Sequence, residues 1–582
     1  MTRWGVALVF ILGAWWPACS CNPGGVACAS DADCADGFGC GRGGVCVRAD
    51  WLVDAGKSLD DAGVDDAGVD DAGPALDPPW LDAAFAFRQR VALLPTNDVD
   101  IPAGYPVRVR FDHAALVAAG AARASGDDLH VVYWDGVAWQ ELPRALARRS
   151  GWSREDTTLV LETARAIASG ASDDGYFLYF GVEAQSDAPL PLTEGPPEAR
   201  VVVEESLAAI SSDTRTHAEV ATLTFRPGDV DEQWIVVGTW QQRGVTVTQV
   251  QEHGDARIRV NGQLRLGTSG ISFHQTEGHY KSTGVVIPIT GVAGPQHVTL
   301  EFAAFWDGYV DEIRNVRLMA FLVPGANAQV AESLAEVPVT TAAQPITVHS
   351  LEVQASAEYL WLVSAFGKEG ASAINRSLWI LDESGAVRQE QRETVMNEHG
   401  SLHLMHFERR ALAAGDALTL VHETPDNTTG LPAIVHGITQ VLVPTGGFTV
   451  VSASHDPEAS TTSSTRSTLV TLEVPAPGLD HEQVYFAVST VDHDPGSVGP
   501  RSVVDVTFDG VAVQEDTFVV SGRRYPTQVV WTSAEEVAAP RTIEIGYRQL
   551  SGGQTTRVSH AHLIALRYHE VTTSEGPIEA RP

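Results

Sequence analysis

The sequence predicts a mainly β protein, with several tandem β-sandwich (jelly-roll-like) domains behind a disordered, disulfide-stapled N-terminal region. All six cysteines of the 582-residue chain lie between Cys19 and Cys46. The rest of the chain contains short alternating runs of Val, Thr and aromatic residues separated by Gly, Pro, Asn and Asp, which is typical of strands joined by turns. One sequence pattern also recurs at intervals of about 125 residues.

Residues 1–20 have the layout of a secretory signal peptide. Arg3 supplies the positive start, and the apolar run from Trp4 to Trp16 ends just before a cysteine. A membrane-spanning helix needs roughly 20 apolar residues, so this run is too short to be one. We therefore expect the protein to be exported.

The cysteine after this run resembles the lipid-attachment cysteine of bacterial lipoproteins. Cys21 has the small residues Ala18 and Ser20 at the matching positions, whereas Cys19 has Trp16 at one of them. Lipidation of Cys21 also leaves an even number of cysteines, which suits paired disulfides. The resemblance implies an outer-membrane or cell-surface lipoprotein held by an N-terminal lipid anchor. Cleavage by an ordinary signal peptidase, giving a secreted protein, is the alternative.

Residues 21–48 form a short cysteine-rich segment. Disulfides are expected here, because so short a segment cannot bury a core and an exported protein can form them. Zinc is the alternative, but zinc sites use tighter cysteine pairs, often with histidine. The segment resembles the cysteine-rich repeats of bacterial surface lipoproteins, in which Ser-Asp-x-Asp-Cys recurs. The predicted disulfide cysteines are Cys28, Cys34, Cys40 and Cys46.

Residues 49–78 are predicted to be a disordered acidic linker. Asp-Ala-Gly recurs there from Asp54 to Asp71, with almost no large apolar side chains, so burial cannot offset the entropy of ordering. The whole chain carries 39 Lys and Arg against 74 Asp and Glu, a formal net charge of −35. This charge repels nucleic acid phosphates, and we expect no nucleic-acid partner.

Residues 79–195 are predicted to form the first β-sandwich. Its strands include a Tyr-Pro-Val run from Tyr105, the Asp-Leu-His run from Asp128, and a closing Tyr-Phe-Leu-Tyr-Phe-Gly run from Tyr176. Residues 84–182 resemble a domain of unknown function found beside concanavalin-like jelly rolls in bacterial surface proteins. His130 stands where that family usually has Arg, and Phe180 where it has a final Tyr. The resemblance implies a fold and brings no catalytic residues with it.

The remaining chain is predicted to contain three copies of another sandwich, at 196–326, 327–446 and 447–582. The run Val-Glu-Glu-Ser-Leu-Ala at Val203 returns as Val-Ala-Glu-Ser-Leu-Ala at Val330. This period is far longer than that of a solenoid repeat and suits independent β-sandwiches of about eight strands.

Two groups of histidines are candidate metal ligands. His403 and His406 lie close to Glu408, but three positions apart on a strand they point to opposite faces. His560 and His562 would share a face, yet two histidines lack a third ligand. These patterns predict no metal site and no cofactor.

Trp306 and Tyr309 are the predicted ligand-binding residues. They lie in a loop between two predicted strands, where exposed aromatic rings can stack on sugars; packing in the core is the alternative. The sequence has no nucleophile elbow, zinc-protease motif, phosphate loop or dinucleotide fingerprint, so catalysis is not favoured. We expect a non-catalytic surface protein that displays sandwiches to a glycan or protein ligand. A polysaccharide hydrolase and a purely structural spacer are the alternatives.

Overall fold

A computed structural model describes most of the body of the chain and two short pieces of the cysteine-rich segment. The described residues are 38–40, 46–48, 78–95, 100–101, 103–147, 150–182, 200–227, 232–245, 251–265, 271–275, 280–304, 307–335, 337–339, 345–368, 374–395, 401–423, 433–476, 481–493, 498–521, 527–537, 539–551, 555–569 and 571–581. No helix in these parts of the chain is long and apolar enough to cross a membrane.

The cysteine-rich segment contains one antiparallel strand pair, β1 (Phe38–Cys40) with β2 (Cys46–Arg48). In its register, Cys40 and Cys46 are Cα partners. The predicted signal peptide, the linker up to residue 77, and Cys21, Cys28 and Cys34 lie outside the described residues. Lipidation and disulfide formation therefore stay predictions.

The first unit is a sandwich of two antiparallel sheets. Its strands alternate between buried and more exposed positions, which suits two sheets that pack face to face. Its short helix begins after Asp112, whose carboxylate accepts a hydrogen bond from Ala115 N at 2.8 Å and caps the helix. The elements are β3 (Phe85–Pro95), β4 (Pro106–Phe111), α1 (His113–Ala118), β5 (His130–Trp134), β6 (Trp139–Glu141), β7 (Arg144–Leu146), β8 (Thr157–Glu162) and β9 (Asp173–Val182).

The last strand of the chain, β38 (Val571–Ala580), belongs to this first unit. It pairs with β3, so the larger sheet has the order β38-β3-β9-β5-β6, opposite the sheet β4-β8-β7. Arg581 N also donates to Ala86 O at 2.9 Å. The predicted third repeat, 447–582, is thus too long at its end. The physical reason is that β3 would otherwise leave an unpaired sheet edge.

Each of the three repeats is a sandwich of two antiparallel sheets. Repeat 1 contains β10 (Val201–Ser206), β11 (Ile210–Ser212), β12 (Ala218–Phe225), β13 (Gln233–Gly244), β14 (Gln251–Val260), β15 (Gln263–Leu264), β16 (Ile271–Gln275), β17 (Lys281–Ile289), β18 (Gln296–Ala303) and β19 (Asp311–Val323). Repeat 2 contains β20 (Gln329–Ser333), β21 (Val337–Val339), β22 (Ile346–Glu352), β23 (Ala357–Lys368), β24 (Ile374–Leu381), β25 (Val387–Val395), β26 (Ser401–Leu412), β27 (Ala417–Glu423) and β28 (Ala433–Pro444). Repeat 3 contains β29 (Phe448–His455), β30 (Ala459–Thr461), β31 (Ser467–Val474), β32 (His481–His493), β33 (Val498–Phe508), β34 (Val511–Ser521), β35 (Thr527–Val537), β36 (Arg541–Ser551) and β37 (Thr556–Tyr568).

The sheets of the three repeats share one strand order. The inner sheets run β10-β19-β13-β17, β20-β28-β23-β26 and β29-β37-β32-β35. The outer sheets run β12-β18-β14-β15, β22-β27-β24-β25 and β31-β36-β33-β34. The fold is therefore mainly β with repeated sandwiches, as the sequence predicts.

The inner sheets are buried on both faces. On β13, Trp234 and Val236 point into the core of repeat 1, whereas Ile235 and Val237 point the other way and are equally buried. On β23, Leu360 and Leu362 likewise point away from the core of their own repeat and are buried. Alternating side chains on one strand thus serve two different cores.

The second faces meet in one apolar cluster, which we call the shared core. The expectation that the repeats are independent sandwiches is therefore wrong, because each repeat buries one face of its inner sheet against the others. The cluster extends into the first unit through Tyr105 and Leu161. Its members from the repeats include Ile235, Val237, Val286, Met319, Phe321, Leu360, Leu362, Met405, Phe407, Val441, Val443, Val484, Phe486, Val488, Val530, Ile564 and Leu566.

Buried polar contacts also join the units. Arg200, at the start of repeat 1, forms an ion pair with Glu482 of repeat 3 at 3.0 Å and donates to Pro106 O of the first unit at 3.2 Å. Tyr568 donates its hydroxyl to Leu322 O at 2.6 Å. These contacts hold the first unit and the repeats together as one block.

Candidate functional site

The predicted aromatic loop is only partly described. Trp306 lies outside the described residues, and Tyr309 is half-buried beside an exposed Gly308. The loop is held by two hydrogen bonds: Gly308 N donates to Asp213 O at 2.9 Å, and Arg215 N donates to Asp307 Oδ1 at 2.9 Å. Of the two predicted binding residues, the structure therefore places Tyr309 alone, without a second aromatic partner in the described residues.

A different aromatic group lies on the outer face of the larger sheet of the first unit. The strands β5 and β9 alternate so that Tyr133 and Tyr176 face the core, while Trp134 and Phe177 face outward. We call this outer group the aromatic platform. Its buried base is Phe85, Val132, Phe177 and Tyr179, and its half-buried upper members include Trp80, Trp134 and Trp139.

The turn between β5 and β6 sets the geometry of two of these tryptophans. Gly136 adopts a φ of 98°, and the Asp135 carboxylate accepts hydrogen bonds from Val137 N and Ala138 N, both at 2.7 Å. Trp134 and Trp139 are then directly opposite each other, with ring centroids 5.1 Å apart and ring planes at 51°. Cross-strand partners share a face, so both indoles border the same surface.

Two tryptophans of the platform, Trp139 and Trp80, are held by a neighbouring ring and by a hydrogen bond. Trp139 meets Phe177 edge-on at 5.3 Å and donates its Nε1–H to Pro79 O at 3.0 Å. Trp80 meets Tyr179 edge-on at 5.6 Å and donates its Nε1–H to Phe85 O at 3.1 Å. With the N–H groups bound to backbone oxygens, the two rings hold one orientation.

Charged groups border the platform. The guanidinium of Arg88 lies 4.7 Å from the Trp80 ring centroid, and that of Arg90 lies 5.1 Å from the Phe177 centroid. Each arginine has a carboxylate partner: Glu579 at 2.6 Å from Arg88 and Asp174 at 2.9 Å from Arg90. The platform therefore combines flat apolar faces with fixed polar groups, an arrangement that can stack a sugar ring and hydrogen-bond its hydroxyls.

A second cluster lies between repeats 2 and 3. His406 and Glu408 are two positions apart on β26, with Nε2 and Oε2 3.0 Å apart. His562, on β37 of repeat 3, places its ring 5.2 Å from that of His406. One ligand atom from each of these three buried residues lies within 4.8 Å of the others, so they could hold a metal ion.

The fold separates His403 from His406 but brings His406 together with His562. His403 packs edge-on against Phe366 at 5.1 Å, while His406 packs against Trp361 and His562. His562 joins this cluster without His560, and its two partners, His406 and Glu408, come from the other repeat. The signal was present as His-x-Glu in one segment and His-x-His in another, but their meeting depends on the packing of the inner sheets.

Comparisons with known proteins give only distant similarities. No protein-family model matches the chain, and no curated protein matches it. Two structures align with 41% and 42% of this chain: the insecticidal delta-endotoxin Cry8Ea1 from Bacillus thuringiensis (9% identity, TM-score 0.15) and a CBM22-1-CBM22-2 tandem domain of Xyn10C from Paenibacillus barcinonensis (10% identity, TM-score 0.13). A structure of PNGF-II aligns with 58% of this chain and all of its own (8% identity, TM-score 0.23). The chain spans 60% of the endotoxin and 97% of the tandem domain. At these TM-scores, the similarities assign no function.

Proposed function

We propose that the protein is an exported, lipid-anchored surface protein that binds glycans non-catalytically through the aromatic platform of its first unit. The observation that supports this most directly is the pair Trp134 and Trp139. Both rings are half-buried and opposite each other, and Trp139 is held by Phe177 and by Pro79 O. Rings that are already fixed lose little conformational freedom when a sugar stacks on them.

The remaining units support the platform mechanically. The shared core joins the three sandwiches to the first unit, so the platform sits on a large block. The predicted linker reaches this block at Pro78, whose carbonyl accepts a hydrogen bond from Arg88 Nη1 at 2.9 Å. A tether of about 30 residues with repelling charges holds such a block away from a membrane surface.

A panel of soluble polysaccharides tests the proposal. We expect the purified protein from residue 76 onward to retain at least one polysaccharide in affinity electrophoresis or calorimetry, without release of reducing sugar over long incubation. Binding accompanied by steady release of reducing ends would support the hydrolase alternative. Failure to bind any member of a broad panel would support the structural spacer.

A further inference from the structure

The cluster of His406, Glu408 and His562 contains buried polar atoms without hydrogen-bond partners. These atoms are His406 Nδ1 and His562 Nε2, and the neighbouring Asp456 Oδ1 shares this property. His562 Nε2 and Asp456 Oδ1 face each other at 3.6 Å, beyond hydrogen-bond range. A buried polar group without a partner is destabilising, and a bound cation would provide a partner for His562 Nε2.

The spacing of the donor atoms suits a small tetrahedral ion. Ligand bonds of about 2.0–2.1 Å in a tetrahedron place neighbouring donors roughly 3.3 Å apart. His406 Nε2 and Glu408 Oε2 are 3.0 Å apart, and His562 Nε2 and Asp456 Oδ1 are 3.6 Å apart. One ligand atom from each of His406, Glu408 and His562 lies within 4.8 Å of the other two, so three donors converge on one point.

Two arginines contact Glu408, and both have further acidic partners. Arg388 reaches Glu408 Oε1 at 2.7 Å and Asp456 Oδ2 at 3.0 Å. Arg410 reaches Glu408 Oε1 at 3.2 Å and also pairs with Asp382 and Glu383. Four carboxylates against two guanidinium groups give this cluster a net negative charge, which attracts a divalent cation.

We propose that His406, Glu408 and His562 bind a Zn²⁺ ion that joins repeat 2 to repeat 3. Zinc is the preferred ion because two imidazoles and one carboxylate are a usual zinc donor set, whereas calcium and magnesium prefer oxygen ligands alone. Glu408 Oε2, which accepts from Arg388 Nε at 3.1 Å, ligates the ion in place of that hydrogen bond, and Oε1 keeps its bonds from Arg388 Nη2 and Arg410 Nη1. All ligands are ordinary side chains from two strands, so the ion links the two repeats across their contact. This site is independent of glycan binding.

Metal-free full-length protein, prepared with a chelator, provides the test. Titration with Zn²⁺ should show one equivalent bound and a rise in the thermal unfolding temperature. Co²⁺ should give the visible absorption of a tetrahedral site without the sulfur-to-metal bands of cysteine ligation. Bands from cysteine alone, or no bound equivalent, would overturn the proposal.

Three variants locate the ion. His406→Gln and His562→Gln should each weaken Zn²⁺ binding by more than about 100-fold, beyond what the loss of an outer hydrogen-bond partner costs. His403→Gln changes a buried histidine of the same strand and should leave binding intact. Circular dichroism of each metal-free variant establishes that it is folded. Tight binding retained by both folded cluster variants, or lost equally in the His403 variant, would place the ion elsewhere and refute the site.

Discussion

Gln528 of repeat 3 hydrogen-bonds both backbone polar groups of Met405 in repeat 2. Its Nε2 donates to Met405 O at 2.9 Å, and its Oε1 accepts from Met405 N at 2.7 Å. Met405 lies on β26, the edge strand of its inner sheet. One side chain thus takes the place that a neighbouring strand would occupy, at a point where both residues are buried.

Gln528→Ala should lower the free energy of unfolding by about 2–4 kcal/mol, because it leaves the N–H and C=O of Met405 buried without partners. Chemical denaturation followed by intrinsic fluorescence measures the change. Gln263→Ala, at an exposed position, should change stability by less than about 0.5 kcal/mol. Equal stabilities for the two variants would contradict a structural role for this amide.

Asp516→Asn should weaken the pH dependence of stability in acid. Burial raises the pKa of Asp516 to about 6 from its ordinary 3.8, although hydrogen bonds from Ser282 and Gln241 oppose this. The folded protein therefore retains a proton that the unfolded chain releases, and stability falls as pH rises from about 4 to 6. The shift corresponds to about 3 kcal/mol in full.

Unfolding measured across this pH range tests the Asp516 prediction. The Asn side chain cannot ionise, so the variant should lack that part of the fall. Asp213→Asn, at an exposed position, should retain the wild-type profile. An Asp516→Asn profile parallel to the wild type would show that this carboxyl does not titrate as expected.

Trp134→Ala and Trp139→Ala should each weaken binding of a retained polysaccharide by roughly 2- to 10-fold, since each removes one stacking face. Affinity electrophoresis against the wild type gives the ratio. Trp379→Ala removes a half-buried tryptophan from the outer sheet of repeat 2 and serves as the matched control. A loss confined to the Trp379 variant would move the binding surface to repeat 2.

Cys21→Ser should release the protein from the membrane fraction, because serine cannot form the thioether that carries the lipid. Cell fractionation and immunoblotting measure the distribution, with Cys19→Ser as the control that stays in the membrane. If the Cys21 variant remains there and the Cys19 variant is released, Cys19 carries the anchor.

The fold class follows from local patterns, whereas the packing of the repeats does not. Alternation and turn residues are local properties, and they predict strands well in this chain. The run Trp234-Ile-Val-Val is apolar at every position, which is typical of a strand buried on both faces. The partner of its second face lies more than a hundred residues away, in the other repeats.

The aromatic platform and the histidine cluster differ in how much of each the sequence can predict. Asp135-Gly136 is a strong hairpin signal, but a two-residue turn there would pair Trp134 with Val137, whereas the observed four-residue loop pairs Trp134 with Trp139. His406 and His562 are 156 residues apart, and only the contact between two inner sheets brings their rings to 5.2 Å. Local spacing identifies pairs of ligands on one strand, but it does not identify which pairs meet.

The pairing of β38 with β3 has a consequence for how the proposed exported chain matures. Translocation delivers the N-terminal end first, so β3 emerges some 480 residues ahead of the strand that completes its sheet. Until β38 emerges, that edge is open to pairing with another molecule. Only a chain that includes β38 can complete the first sandwich. A product truncated before β38 would expose the edge of β3 to aggregation and proteolysis.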